Sequence, residues 1–457
     1  MRRSGPLRLC AVRWGWTIAA CGYLGGCGAD PGVVVIGGGP AGLAAAIEAA
    51  ATGQVVDLYE ARATLGGSAL YGDAVTAIPS DAALERLDTL GGTPNAARTR
   101  FVKQVKPDVV DWLGAMGQRW RETPNLVESD VQLVAPVGKG ESVVTFLIQA
   151  AKTAGVHVHT DTRVTGLERT PDGITVHTEP GGDAHASAVV IATGGYAGNL
   201  DRVRERLGLD ASVPLLRGAT SFADGNGIDL GVKAGGVERL PGQVMLYAHG
   251  VPDPNNHDAA VMFVDGDRGY ALDTTGAAFN DIRSPRGDSG AALLARPGSV
   301  AWVIVDQRAI QELQLWSVEL RAMVSAKTVA KEVGVHAGDV ETMAKRLHVP
   351  TEAVQAGRPA PGARADALHP LGDGHLYALP LRLTTAKSLT GLQIDLDGRL
   401  LDARGTVIPR LYAAGEAAGF AHPWEAVHID STMVSGAILT GRAAGKATAE
   451  WRVGTEP

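Results

Sequence analysis

The stretch from Val33 to Glu60 reads VVVIGGGPAGLAAAIEAAATGQVVDLYE. Its first four residues, Val33 to Ile36, are all β-branched and show no polar alternation. That pattern suits a strand buried on both faces, as in a parallel sheet. Gly37, Gly39 and Gly42 follow in the spacing GxGxxG. The alanine-rich run Ala41 to Ala51 predicts a helix, Gly53 ends it, and Val55 to Tyr59 predicts a second strand closed by Glu60. Gly37 permits the tight turn from strand to helix, Gly39 lets the backbone approach a pyrophosphate, and Gly42 lets helix and strand pack closely. The helix N-terminus offers free N–H groups and a partial positive charge to phosphate. Glu60 lies 18 residues past Gly42, where a carboxylate accepts bonds from a ribose 2′-hydroxyl. An acid there favours an unphosphorylated ribose, hence FAD or NAD rather than NADP.

Composition bounds the rest. A chain of 457 residues buries a large core, and its length predicts two or three domains. The net charge of −7 leaves no basic field for nucleic acid. No stretch is long and apolar enough to span a bilayer. Cys10, Cys21 and Cys27 are the only cysteines. The body of the chain therefore carries no disulfide, cysteine-ligated metal or redox-active CxxC, which excludes a disulfide reductase.

Residues 1–30 read as a leader or disordered extension outside the fold. Four arginines (Arg2, Arg3, Arg8, Arg13), a short apolar middle and small residues before Cys27 suggest an exported protein lipid-anchored through Cys27. The Gly- and Trp-interrupted middle instead favours an upstream extension and a cytoplasmic protein. After Glu60, the Gly66-Gly67-Ser68 loop is placed to pass close to a pyrophosphate and a flavin ring. Residues 81–122 look helical. His157 and His159 share one face of a predicted strand, read as a solvated face rather than a metal site. Val164 to Glu168 and Ile174 to His177 flank a turn at Thr170 to Gly173 and predict a hairpin. Ala188 to Ile191 predicts another buried strand, running into Ala192-Thr193-Gly194-Gly195.

Taken together, GGGPAGLAAA at 37–46, LGGS at 65–68, VVIATGGYAGN at 189–199 and LYAAGEAAG at 411–419 resemble the fumarate reductase/succinate dehydrogenase flavoprotein superfamily. The likeness is to its soluble single-subunit FAD-dependent branch, covers roughly residues 31–450, and extends more faintly to ketosteroid dehydrogenases. The resemblance implies an α/β fold: a Rossmann-like FAD-binding domain with an inserted α+β cap domain. The FAD-binding domain would comprise residues 31–237 and 373–457, with the chain returning to it from Leu376. The cap and substrate domain would be 238–372, with strand-like Val244 to Tyr247, a polar loop at 252–258, helices near 307–332 and 338–355, and a linker from Gln355 to Gly372. Gly225-Asn226-Gly227 has no apolar strand before it, so no second dinucleotide domain is expected.

The resemblance also implies roles. Gly37, Gly39, Gly42, Glu60, Gly66, Gly67, Ser68, Val164, Ala192, Thr193, Gly194, Gly415 and Glu416 would hold FAD, Glu416 through a ribityl hydroxyl. Ser431, Thr432 and Met433 would open a last helix, about Met433 to Trp451, aimed at the flavin N1/O2 edge, where it stabilises the reduced anion. No histidine lies in Gly66 to Tyr71, so FAD would be noncovalent. Tyr247-Ala248-His249 looks like the family's histidine stretch, and Phe279-Asn280-Asp281 followed by Arg286-Gly287-Asp288 looks like the stretch carrying its acid arginine. The spacing is one residue off, so Arg283 competes with Arg286. The family's paired-histidine segment appears here as Thr385 to Gly391, with Lys387 and no histidine. Its second carboxylate-binding arginine is replaced by Ala426 to Asp430, with His428 near that place and His422, Trp424 and Glu425 beside it. Losing both carboxylate holders argues against fumarate and for a bulkier or less charged substrate. The expected activity is hydride transfer at flavin N5 that reduces or forms a C=C bond next to a carbonyl or carboxyl group. His249, Arg286 and His428 would be the catalytic residues, with Arg286 or His428 as acid/base. The partners would be a small-molecule substrate and a separate electron donor or acceptor. Two other readings stay open: a flavin-dependent amine or alcohol oxidase or dehydrogenase, and a noncatalytic FAD-binding subunit.

Overall fold

The computed structural model describes residues 32–125, 128–239, 243–253, 256–263, 270–279, 286–306, 335–337, 339–356, 376–421, 429 and 431–451. All of them lie in the unit Pro31–Pro457. The opening valines form β1 (Val33–Ile36), and every one of its residues is buried. Val33 and Val35 face one hydrophobic core while Val34 and Ile36 face another. That two-sided burial is why the run lacks polar alternation.

Around β1 stands a six-stranded sheet in the order β19 (Arg399–Leu401), β20 (Val407–Ala413), β10 (Ala188–Ile191), β1, β2 (Val56–Tyr59), β6 (His157–His159). Its strands are parallel except for the edge strand β19. Two helices cover one face, Pro40–Ala51 and Met433–Ala447. They cross at small residues: a Cβ on Gly441 would lie 2.2 Å from the Ala41 carbonyl oxygen, and one on Gly445 equally close to that of Ala45. Only glycine allows that backbone approach. The crossing is also tied by Arg442, which donates to Glu48 and to the Asp108 carbonyl and lies over the Trp112 ring.

The second large sheet has eight strands, ordered β11 (Leu215–Arg217), β13 (Asn256–Phe263), β12 (Val244–Asp253), β18 (Leu376–Ser388), β16 (Val300–Asp306), β14 (Tyr270–Asp273), β15 (Ala278–Phe279), with β17 (Val335–Ala337) also on β18. Helices Val340–Leu347 and Thr351–Ala356 pack against it through Met343, Leu347 and Val354. Two three-stranded sheets complete the fold: β3 (Thr76–Pro79), β5 (Val131–Pro136), β4 (Trp120–Thr123), and the meander β7 (Arg163–Arg169), β8 (Ile174–Glu179), β9 (Gly182–Ala186). The predicted hairpin is the first half of that meander. No helix among the described residues is long and apolar enough to cross a membrane.

Several expectations change. Leu376–Arg382 does not rejoin the first sheet. It is the first half of a 13-residue strand at the centre of the second, pairing with both β12 and β16. A continuous apolar run fits a central strand of either sheet, so local pattern cannot assign it. The segment 81–122 is helical only as far as Ala115, and Trp120–Thr123 is a strand. Of the residues at 252–258, Pro252 and Asp253 end β12 and those at 256–258 open its antiparallel partner β13, while 254 and 255 lie outside the described residues. Leu392 to Asp395 makes isolated bridges, not a strand. A short strand, β11, does precede Gly225, but it belongs to the second sheet. The segments 307–332 and 357–372 lie outside the described residues.

Candidate functional site

The C-terminal ends of β1, β2, β10 and β20 meet at one edge of the parallel sheet, the place where open α/β sheets bind ligands. After β1 the chain turns sharply. Gly37 takes φ 102°, its N–H donates to the Tyr59 carbonyl at 2.7 Å, and a Cβ on Gly42 would lie 1.8 Å from the Gly37 oxygen. Gly39, in contrast, faces open space, with nothing within 4 Å of where its Cβ would be. The loop after β2 folds back over this turn: Gly66 N–H donates to the Gly38 carbonyl at 2.8 Å, and Gly67 sits against Gly39.

Glu60 is fixed by two backbone donors, Gly38 N–H at 2.8 Å and Arg62 N–H at 2.9 Å, one to each carboxylate oxygen. Each oxygen keeps a lone pair for a ribose hydroxyl. Val164 is buried on β7, and its partner on β8 is Thr178. After β10, Ala192 is buried, Thr193 Oγ1 is buried without a hydrogen-bond partner, and Gly194 takes φ 81° with open space beside it.

At the end of β20, Gly415 N–H donates to Thr440 Oγ1 at 2.9 Å. Glu416 Oε1 accepts from the Ser388 N–H at 2.8 Å and the Ser388 hydroxyl at 3.0 Å. Burial raises the Glu416 carboxyl above the ordinary glutamate range, partly offset by the Ser388 bonds and by Lys387. The last helix opens at Thr432–Met433. Ser431 before it is held at φ 65°, and its carbonyl accepts from Ala77 N–H at 2.9 Å. A non-glycine residue in that region is strained and needs its surroundings to hold it there. Thr432 is fully buried, its hydroxyl donating to the Ile429 carbonyl at 3.0 Å.

The structure thus gathers Gly37, Gly39, Gly42, Glu60, Gly66, Gly67, Ala192, Thr193, Gly194, Gly415 and the helix start at Ser431 to Met433 along one sheet edge. Two helix N-termini, an open glycine and a positioned acid suit a diphosphate-linked dinucleotide. Ser68 is exposed, and its hydroxyl lies 2.8 Å from that of Thr220. His157 and His159 flank Asp57, His159 Nε2 at 2.7 Å and His157 Nδ1 at 3.6 Å from the same oxygen.

The chemical residues are placed less completely. His249 lies on β12, and Arg286 opens the helix Arg286–Leu294, but both side chains fall outside the described set. Arg283, His422, Trp424, Glu425 and His428 also lie outside the described residues. The helix that Arg286 opens packs on the strand of His249. Ala248 N–H donates to Ser289 Oγ at 3.4 Å, and a Cβ on Gly290 would lie 2.3 Å from the Leu246 carbonyl oxygen. Sequence reasoning missed Ser388 as the partner of Glu416, and missed Thr220, Phe222 and Arg62 beside the Gly66–Ser68 loop. Only the position of Arg62, two residues past Glu60, offered any signal.

The chain belongs to the family described as FAD binding domain, which matches residues 32–427. It is similar to a fumarate reductase (cytochrome) of Shewanella frigidimarina, with 27% identity across 92% of this chain and 77% of that protein. It is also similar to a vinyl phenol reductase of Lactiplantibacillus plantarum, with 25% identity across 92% of this chain and 96% of that one. In fold it resembles the crystal structure of a 3-ketosteroid delta1-dehydrogenase from Sterolibacterium denitrificans. The TM-score is 0.76 at 16% identity, covering 92% of this chain and 99% of that one. The family's cofactor is FAD, and the glycines, the fixed acid and the helix N-termini along the sheet edge suit a group of that chemistry.

Proposed function

We propose that this member of the FAD-binding family is an oxidoreductase that reduces or forms a carbon–carbon double bond next to a carbonyl or carboxyl group, and that fumarate is not its substrate. Bound FAD supplies hydride transfer at N5. The observation that carries the reading is the packing of the Arg286–Leu294 helix on β12. It makes one unit of the strand with His249 and the helix that opens at Arg286. The neighbouring strand β18 ends at Ser388, which Glu416 ties to the cofactor edge. Residues 31–237 and 373–457 make up the FAD-binding domain and 238–372 the cap, and β18, at the start of the returning segment, pairs with the cap strands β12 and β16.

Within this arrangement His249 orients the activating carbonyl or carboxyl group. Arg286 or His428 exchanges the proton at the carbon that does not take the hydride. An imidazole suits that task near neutral pH, whereas a guanidinium, with a pKa above about 12, needs a proton relay. Lys387 leaves one cation where the resemblance places a histidine pair, which favours a substrate with fewer carboxylates than fumarate. The substrates named in the three relatives, fumarate, a vinyl phenol and a 3-ketosteroid, support an alkene or its saturated counterpart. FAD is held noncovalently, and a separate small donor or acceptor closes the electron cycle.

The test is anaerobic reoxidation of the chemically reduced flavin by a panel of activated alkenes. Fast reoxidation by a bulky enone or enoate, with fumarate slow, is the expected result. Fast reoxidation by fumarate would refute the substrate assignment. No reoxidation by any alkene would refute the reaction class in favour of amine or alcohol oxidation.

A further inference from the structure

We infer that residues 218–225 form a strap that closes over the adenosine-diphosphate half of bound FAD, with Phe222 as its latch. The inference rests on FAD occupying the sheet edge described above. The strap starts at Gly218, whose N–H donates to the Thr385 carbonyl at 3.0 Å, and ends at Gly225, φ 88°, where the helix Asn226–Lys233 begins. Its inner rim is fixed to the turn after β10. Gly198 N–H donates to the Ala223 carbonyl at 3.0 Å, and a Cβ on Gly198 would lie 2.1 Å from the Thr220 oxygen.

The outer rim meets three separate pieces of chain. Thr220 Oγ1 lies 2.8 Å from Ser68 Oγ. The Arg62 guanidinium stacks over the Phe222 ring at 4.1 Å and donates to the Tyr71 hydroxyl at 3.3 Å. Asp224 accepts from Arg163 at 3.1 Å. Each partner flanks the cofactor's track. Ser68 ends the loop that sits on Gly39, Arg62 is two residues past Glu60, and Arg163 precedes Val164. The strap therefore runs across the ends of β1 and β2, where the diphosphate and its ribose lie.

Its fastenings are weak. The Ser68–Thr220 contact is exposed, and the Arg163–Asp224 pair is too open to water to hold firmly. The stack of Arg62 on Phe222 is the strongest, yet it encloses Arg62 Nη1 without any hydrogen-bond partner. Closing costs that N–H its water, and opening restores it. With its inner rim fixed, the strap's outer rim is held shut chiefly by one cation–π contact and can open to exchange the cofactor.

The experiment measures FAD release from the holoprotein by the rise in free-flavin fluorescence after rapid dilution. Phe222→Ala is expected to release FAD about ten-fold faster, as loss of one such contact implies. Phe222→Tyr should restore the slow rate, and Thr220→Val should give a smaller acceleration. The visible spectrum of the bound flavin should not change, because the strap lies at the other end of the cofactor. Unchanged release in Phe222→Ala and Thr220→Val would overturn the inference. A shifted flavin band would also overturn it, since it would mean the residue shapes the flavin end. An unaltered protein that holds no FAD would sink the cofactor reading together with the strap, whereas the first two outcomes sink the strap alone.

Discussion

The two large sheets solve different problems with different material. The cofactor sheet is built from short strands, five of which (β1, β2, β6, β10 and β19) have three or four residues, and the turns after β1, β2, β10 and β20 line the candidate cofactor edge. The second sheet is antiparallel except at β11 and is built around longer strands, with β18 running 13 residues and β12 ten, and β12 breaks register against both neighbours. In the first sheet the candidate functional residues sit at strand ends, in the turns after β1, β2, β10 and β20. In the second it is spread along strands whose pairing brings distant segments together. Damage should therefore be local in the first and global in the second.

The sharpest way to break that contrast is a pair of glycine substitutions in one turn. Gly42→Ala places a Cβ 1.8 Å from a backbone oxygen. It should cost more than about 3 kcal/mol of stability and abolish FAD binding together with it. Gly39→Ala meets nothing within 4 Å in the protein and has φ −77°. The apoprotein should keep its melting temperature within a degree or two while FAD affinity falls at least about ten-fold from the lost phosphate approach. Equal losses of stability in the two variants, read by thermal unfolding of the apoproteins, would remove the distinction.

Leu381, on β18 and fully buried, probes the other sheet. Leu381→Ala should destabilise the protein by about 2–5 kcal/mol, as cavities in tight cores do. The variant that still folds should bind FAD with unchanged affinity, measured by flavin titration. A parallel drop in FAD affinity would show that the second sheet shapes the cofactor edge directly.

Glu416 stands where the two sheets are joined, and its effect should be the smallest. Burial holds its folded pKa above the unfolded value. Its contribution to stability is then fully present below the ordinary glutamate pKa and is lost as pH rises through the raised value. Glu416→Gln keeps an acceptor for Ser388 and removes the charge. Melting temperatures taken from pH 5 to 8 should fall more gently in the variant than in the parent. Parallel curves would mean that Ser388 and Lys387 already compensate the carboxylate in full.

Much of the cofactor site is legible because its chemistry is local. Gly37, Gly39, Gly42 and Glu60 lie within a single strand–helix–strand unit, and Gly66 and Gly67 follow directly. The bond between Glu416 and Ser388 spans 28 residues, and that between Ser68 and Thr220 spans 152. Neither leaves a periodic trace, because each depends on where separate chain segments come to rest. The same reason explains β18: Leu376 to Leu383 is apolar enough for the centre of either sheet, and only pairing with β12 and β16 decides which.

The sequence alone determined the buried first strand, the glycine turn after it, the acid that closes the second strand and the class of cofactor. Each follows from backbone sterics and periodicity inside a few consecutive residues. The tertiary structure alone decided which sheet β18 joins, what Glu416 holds, and that residues 218–225 reach Ser68, Arg62 and Arg163. Those are contacts between residues far apart in the chain, whose energies depend on the packing of the whole fold rather than on any local preference.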